Sequence, residues 1–185
     1  MADLAPAARP VLAFAPLGTP ETPLRLVALP EGRVIHALAT VRGLDLTDRL
    51  AVIAGDAPFA VRAYAPGQWF LVEDTPLAPG DLARLAEQVT GQLALSDQSH
   101  GRVRLSIEGP AARHLLAKGT GVNLGESAFP VGHSAPTLYG HVGIHLTRTA
   151  PERYELLVLR SFAVDLWEQL AKGGAEFLGT GSAAH

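Results

Sequence analysis

Three histidines, His133, His141 and His145, fall within thirteen residues of the segment "GHSAPTLYGHVGIHLTRT", residues 132–149. Imidazoles ligate zinc and carry protons near neutrality, so such a density raises a metal centre or an acid–base site as readings. Strand alternation places Val142, Ile144 and Leu146 on one face and His141, Gly143, His145 and Thr147 on the other. Positions four apart on a regular strand are separated by about 13 Å, at roughly 3.3 Å per residue. Two ligands of one zinc each sit about 2 Å from it. His141 and His145 therefore point the same way without sharing an ion, and His133 approaches His141 only if Gly140 makes a tight reversal. The nearby acids Glu126, Glu152 and Glu155 show no ligand spacing. The expectation is a solvent-exposed or interface face, with His141, His145 and Thr147, together with Trp167, as candidate interface residues.

Other chemistry-bearing residues point to local structure. "DQSH", residues 97–100, offers an acid, a hydroxyl and an imidazole, but a nucleophilic triad needs convergence in space, and four consecutive residues before a strand make a turn. Asp97 and Ser99 then bond the local backbone. "GTGVNLG", residues 119–125, has neither the phosphate-binding lysine nor the strand-to-helix setting of a dinucleotide fingerprint, and reads as a loop. His114 falls on the polar side of a helical pattern beside Lys118, hence in solvent. Trp69 and Trp167 read as core or interface anchors. No catalytic, cofactor-binding or metal-binding residue emerges from these patterns.

The frame that must hold these residues is bounded by composition. With 185 residues, of which 48% are hydrophobic and 18% charged, the chain can bury one sizeable core. Nineteen glycines and 14 prolines, spread along the chain, call for many short elements joined by turns. A net charge of −3 and the lack of adjacent Lys or Arg residues argue against a nucleic-acid partner. Cysteine is absent from the sequence, which excludes disulfides, thiolate nucleophiles and cysteine-ligated metals in this chain. The N-terminal apolar run is broken at Pro10 and Pro16, with no basic stretch ahead of it, so it does not read as a signal peptide. No run approaches the roughly 18 apolar residues of a membrane span. A cytoplasmic, soluble protein is expected.

Periodicity then places the elements. "FAVRAYAPGQWFLVED" alternates on both sides of Pro66-Gly67, a hairpin pattern. "PGDLARLAEQVTG" spaces Leu82, Leu85, Ala86 and Val89 as a helix, with Asp81 as its cap and Gly91 past its end. "RVRLSI" sets Val103, Leu105 and Ile107 against a wet face of Arg102, Arg104 and Ser106. "GPAARHLLAKG" opens a helix at Pro110, and "YELLVL" is a further strand. In "SFAVDLWEQLAKGG" Phe162, Leu166, Trp167 and Leu170 form an apolar stripe, capped by Ser161 and stopped at Gly173. The short apolar pieces at residues 33–40 and 50–54 do not declare an element type. These segments predict an α+β domain over residues 31–178, a largely antiparallel sheet layered with helices on one side. A Pro-rich arm or edge segment precedes it over 1–30, and a flexible tail follows over 179–185.

The motifs "RVRLSIEGPAARHLLAKG", "AFPVGHSAPTLYGHVGIHL" and "YELLVLRSFAVDLWEQLAKGGAEFLG", with "QWFLVED" upstream, together resemble the gamma subunit family of heterotetrameric sarcosine oxidase over residues 59–178. The resemblance implies an aminomethyltransferase-like, folate-binding-like fold. It also implies an assembly with larger alpha and beta subunits and a small delta subunit, in which FAD, FMN, NAD and tetrahydrofolate are held by other chains. The gamma chain then has no catalytic role of its own in an oxidase that converts sarcosine to glycine and hydrogen peroxide, with a folate-linked one-carbon product. Where the family often carries Cys-Pro-Leu-Asp-Leu, this chain has Thr120, Gly121, Val122, Asn123 and Leu124. The alternatives are a self-sufficient folate-binding or aminomethyltransferase-like protein, and the small subunit of another N-methyl amino-acid dehydrogenase.

Overall fold

A computed structural model describes residues 14–178. In chain order the elements are β1 (Arg25–Ala28), β2 (Arg33–Ala39), α1 (Thr47–Ala54), β3 (Val61–Ala65), β4 (Gln68–Glu73), α2 (Asp81–Gln88) and β5 (Leu93–Asp97), followed by β6 (Arg102–Glu108), α3 (Ala112–Ala117), β7 (Ser134–Tyr139), β8 (Val142–Ala150), β9 (Arg153–Leu159) and α4 (Ala163–Gly174). They form two sheets, one ordered β1-β6-β9-β8-β7 and the other β3-β4-β2-β5. Every strand pair is antiparallel. The fold class expected from the sequence is therefore the one observed, but a single sheet with helices on one side is not.

Two sheets arise because the apolar faces belong to two separate cores. Leu105, Ile107, Ile144, Leu146, Leu156 and Val158 turn one face of the five-stranded sheet toward Leu115 and Leu116 of α3 and Leu166, Trp167 and Leu170 of α4. Ile35, Ala37 and Leu71 turn the outer face of the four-stranded sheet toward Leu50 and Ile53 of α1, with Leu82 and Leu85 of α2 packed beside them. Burying a leucine or isoleucine side chain contributes about 1.5–3 kcal/mol, so each core is a substantial driving force. The remaining sheet faces meet through Val34, Phe70, Val72 and Leu157. The result is four layers, helices outside and two sheets within. No helix among the described residues is long and apolar enough to cross a membrane.

Several local expectations shift. Residues 25–28 of the Pro-rich segment are the edge strand β1, hydrogen-bonded to β6, and Leu24 and Leu26 are fully within the first core. The domain thus begins before residue 31, while residues 1–13 and the tail at 179–185 lie outside the described residues. Helix α4 starts at Ala163 after a 3-10 turn over Arg160–Phe162, so Ser161 is not its cap and Phe162 points outward. Ala163 takes the buried place that periodicity assigned to Phe162. Asp81 is the first residue of α2, and its carboxylate accepts from the Ala78 N–H at 2.8 Å.

Candidate functional site between the sheets

The deepest concentration of polar side chains lies where the sheets face each other. Strand alternation aims Arg62 and Tyr64 of β3, His36 of β2 and Phe70 of β4 inward from one sheet. It aims Arg104 and Ser106 of β6, His145 and Thr147 of β8 and Glu155 of β9 inward from the other. Arg62, Arg104, Ser106, His145, Thr147 and Glu155 are all buried. The "wet" face of "RVRLSI" is therefore wet only in the chemical sense: it is covered by the second sheet.

Glu155 ties the layer together. Its Oε2 accepts from Arg62 Nη2 at 2.6 Å and from Arg104 Nη2 at 3.3 Å, and Arg153 Nη2 lies 3.7 Å from Oε1. Arg104 Nη1 donates to Asp74 Oδ1 at 2.7 Å and to the Glu73 carbonyl at 3.3 Å. Arg62 Nε donates to the Phe59 carbonyl at 3.2 Å, and Phe59 holds a left-handed φ of 58° that is uncommon for a non-glycine residue. Burial alone pushes the Glu155 carboxyl up, but Arg62 and Arg104 more than reverse this and hold it below the ordinary carboxylate value. Burial also presses the Arg62 guanidinium down, opposed by Glu155. The cleft beside this cluster has a volume of about 270 Å³. Glu155 pairs with both guanidiniums across the gap, which suits the arrangement to locking two sheets together, while Arg62 Nη1 and Arg104 Nε have no hydrogen-bond partner among the described residues.

The three histidines part company. His145 is 1% exposed, and its Nε2–H donates to the Ala63 carbonyl at 2.8 Å. Its ring lies against Phe70 and Tyr64, with centroids 5.3 and 5.9 Å away. Burial lowers its pKa to about 4, with Arg62 and Arg102 adding to the effect and the Ala63 hydrogen bond opposing it. The buried imidazole is neutral. Thr147 is also fully buried, paired with the Ser134 hydroxyl at 2.9 Å. The face bearing His145 and Thr147 is thus internal, which corrects the reading of an exposed surface: the four-stranded sheet covers it. His141 belongs to no strand. It sits with Gly140 in the two-residue turn between β7 and β8, where Tyr139 pairs with Val142, and its Nε2 lies 2.9 Å from Asp165 Oδ2 of α4. Gly140 supplies the φ of +58° that this turn requires. His133 is exposed and packs edge-on against Phe129 at 4.7 Å.

The other sequence candidates resolve simply. Trp167 is 5% exposed and stacks on Phe14 at 5.6 Å, so it anchors the first core. Trp69 is half-buried against the second core. In "DQSH" the Asp97 carboxylate accepts from the Ser99 N–H at 2.8 Å and from the Ser99 hydroxyl, while that hydroxyl accepts from the Val34 N–H at 3.0 Å. These bonds pin a turn to β2. His114 is exposed. Among the described residues no three His, Asp or Glu side chains gather closely enough to hold a metal ion. The residues that sequence reasoning missed are Arg62, Arg104 and Glu155. The available signal was that "FAVRAYA" and "YELLVL" place charges of opposite sign on strand faces that also carry apolar residues.

A two-sheet antiparallel sandwich with helices on both outer faces is also found in the glycine cleavage system aminomethyltransferase T of Bartonella henselae, which superposes with a TM-score of 0.56 at 17% identity. That match covers 79% of this chain but 45% of the transferase, so the chain spans less than half of it. The class of fold is aminomethyltransferase-like. Within that class the chain belongs to the sarcosine oxidase gamma subunit family, whose model matches residues 31–176. It is 30% identical over 158 residues to the sarcosine oxidase subunit gamma of Corynebacterium sp. (strain U-96), covering 84% of this chain and 76% of that protein. The fold also superposes on a chain of the heterotetrameric sarcosine oxidase of Corynebacterium sp. U-96, solved in complex with pyrrole 2-carboxylate. The TM-score is 0.73 and the identity 22%, over 90% of this chain and 91% of that one.

Proposed function

We propose that this chain is a structural, noncatalytic subunit of a heterotetrameric sarcosine oxidase located in the cytoplasm. The complex oxidatively demethylates sarcosine to glycine, with hydrogen peroxide and a folate-linked one-carbon product. FAD, FMN, NAD and tetrahydrofolate are held by its other chains, the larger alpha and beta subunits and a small delta subunit. The observation that carries the reading is membership of the gamma subunit family, taken with the way the deepest polar cluster is arranged. Arg62, Arg104 and Glu155 bond one another across the sheets. Charges engaged with one another in this way support a role in holding the sandwich together.

Co-expression with the neighbouring coding regions, followed by affinity capture of this chain, tests the proposal. The expected result is recovery of three partners with flavin colour in the complex, sarcosine-dependent peroxide formation, and no flavin on the isolated chain. A monomer that captures no partner and binds tetrahydrofolate tightly would replace this reading with a self-sufficient folate-binding protein. Capture of partners with turnover of a different N-methyl amino acid would assign the small subunit of another dehydrogenase.

A further inference from the structure

Arg148, near the end of β8, is a buried cation whose ion pair, with Glu126, is long and turned toward solvent. It is 4% exposed. Its Nη1 and Nη2 donate to two neutral carbonyls, those of Phe129 at 3.0 Å and Pro151 at 2.8 Å. Its nearest carboxylate, Glu126, lies 3.8 Å away on a side chain that is 80% exposed. Its Nε has no partner among the described residues. Beside it Tyr154, the first inward residue of β9 on that face, is 1% exposed, and its hydroxyl also has no partner among the described residues. Burial raises the Tyr154 pKa, so the group is a protonated donor at neutral pH. Buried charges are ordinarily paired, and a buried unmet donor costs about 1–3 kcal/mol. The two residues that carry these donors, on neighbouring strands, line one cavity of about 160 Å³.

The walls of this cavity explain how the two donors come together. The ladder between β8 and β9 shifts register between Arg148 and Ala150, a bulge of the kind that re-aims side chains. Arg113 of α3 adds a second guanidinium to the lining, and Glu126 and Glu152 add two carboxylates. The unmet groups are donors beside a cation, so the missing partner is an acceptor with negative charge. The two carboxylates disfavour a dianion in the same space. We propose that this cavity binds a small monocarboxylate, which meets the Arg113 guanidinium at the lining and, on a small side-chain shift that opens Arg148 Nε and Tyr154 Oη to the cavity, accepts from both. The site is separate from the polar layer between the sheets and does not depend on the assembly reading.

The experiment titrates the full chain with sodium acetate at constant ionic strength, against sodium chloride and inorganic phosphate, by calorimetry and by the Arg148 Nε signal in nitrogen-15 NMR. Saturable acetate binding that displaces that signal is expected. Tyr154→Phe keeps the ring and removes only the unmet hydroxyl, so the variant should fold and bind acetate about tenfold more weakly, as loss of one hydrogen bond to a charged group requires. Arg113→Gln, on an exposed position, should weaken binding without loss of fold. The proposal is overturned if acetate gives no saturable heat and leaves the Arg148 signal in place, or if Tyr154→Phe binds as tightly as the parent. Equal displacement by chloride means an adventitious ion only, and preference for phosphate reassigns the ligand class; either result also overturns it.

Discussion

Arg62 of β3 and Glu155 of β9 lie 93 positions apart in the chain, yet Nη2 of one and Oε2 of the other meet at 2.6 Å across the gap between the sheets. Both are buried, at 3% and 7% exposure. The pair therefore sets how the two halves of the sandwich register on each other. Their mutual attraction has to offset the desolvation of both ions, and Arg104, as a second donor to the same Oε2, helps it do so.

Breaking that pair from one side should be costly. Arg62→Ala leaves the Glu155 carboxylate buried with only Arg104 at hydrogen-bond distance, and Glu155→Ala leaves two guanidiniums facing each other. Each is expected to lower stability by about 3–5 kcal/mol in urea unfolding. Arg62→Met with Glu155→Leu removes both charges and keeps apolar volume, so the double variant should recover most of that loss. Equal losses in the single and double variants would mean that the pair contributes only through packing.

His145 makes the fold acid-sensitive over a defined window. Its folded pKa of about 4 lies below the ordinary 6.5, so the unfolded chain takes up the proton first as pH falls. Stability is therefore complete above about pH 6.5 and declines toward pH 4, by about 3 kcal/mol in total at roughly 1.4 kcal/mol per unit. Glu155 has the same sign, its folded pKa also being depressed, but its contribution is lost at lower pH, below the ordinary carboxylate range. Chemical denaturation from pH 7 to pH 4.5 should show the slope, and His145→Phe should flatten it. An unchanged slope in that variant would exclude His145 as its source.

The elements with strong period were legible in advance: the hairpin around Pro66-Gly67, the strands containing "RVRLSI" and "YELLVL", and the helix containing Trp167 all appear close to where alternation or 3.6-residue spacing puts them. What periodicity could not supply is what lies opposite a face. A strand with polar residues on one side looks the same whether water or a second sheet covers it, and so alternation alone puts His145 and Thr147 on a solvent-exposed or interface face and Arg104 on a wet one. Helix α1 escaped for a different reason. Its eight residues, "TDRLAVIA", carry Val52 and Ile53 and have no side-chain cap, so local propensity is weak and packing of Leu50 and Ile53 on the second core decides the outcome. The inter-sheet cluster was illegible because its partners are brought together only by the tertiary fold.

Trp167 separates a core role from an interface role. Its ring is buried beside Leu166 and Leu170 and stacks on Phe14. Trp167→Ala should lower stability of the isolated chain by about 3–5 kcal/mol, and Leu116→Ala by about 2–5 kcal/mol. Thermal melting of the chain without partners is the measurement. A Trp167→Ala variant with an unchanged melting transition but weakened partner capture would instead make the residue an intersubunit anchor.

Gly119 is required for a steric reason, because its φ is not among the left-handed ones. A Cβ there would fall 2.5 Å from the Tyr139 ring. That ring has little room to retreat: it is 4% exposed, and on its far end the hydroxyl lies 3.4 Å from the Leu115 carbonyl and 3.1 Å from where a Cβ at Gly173 would sit. Gly119→Ala should therefore overpack the first core and lower stability by about 1–3 kcal/mol, even though alanine is the better helix-end residue by propensity. Because the clash is with one side chain, Tyr139→Leu in the Gly119→Ala background should cost less than the sum of the two single changes. Strict additivity of the two would place the cost of the alanine in the backbone and not against Tyr139.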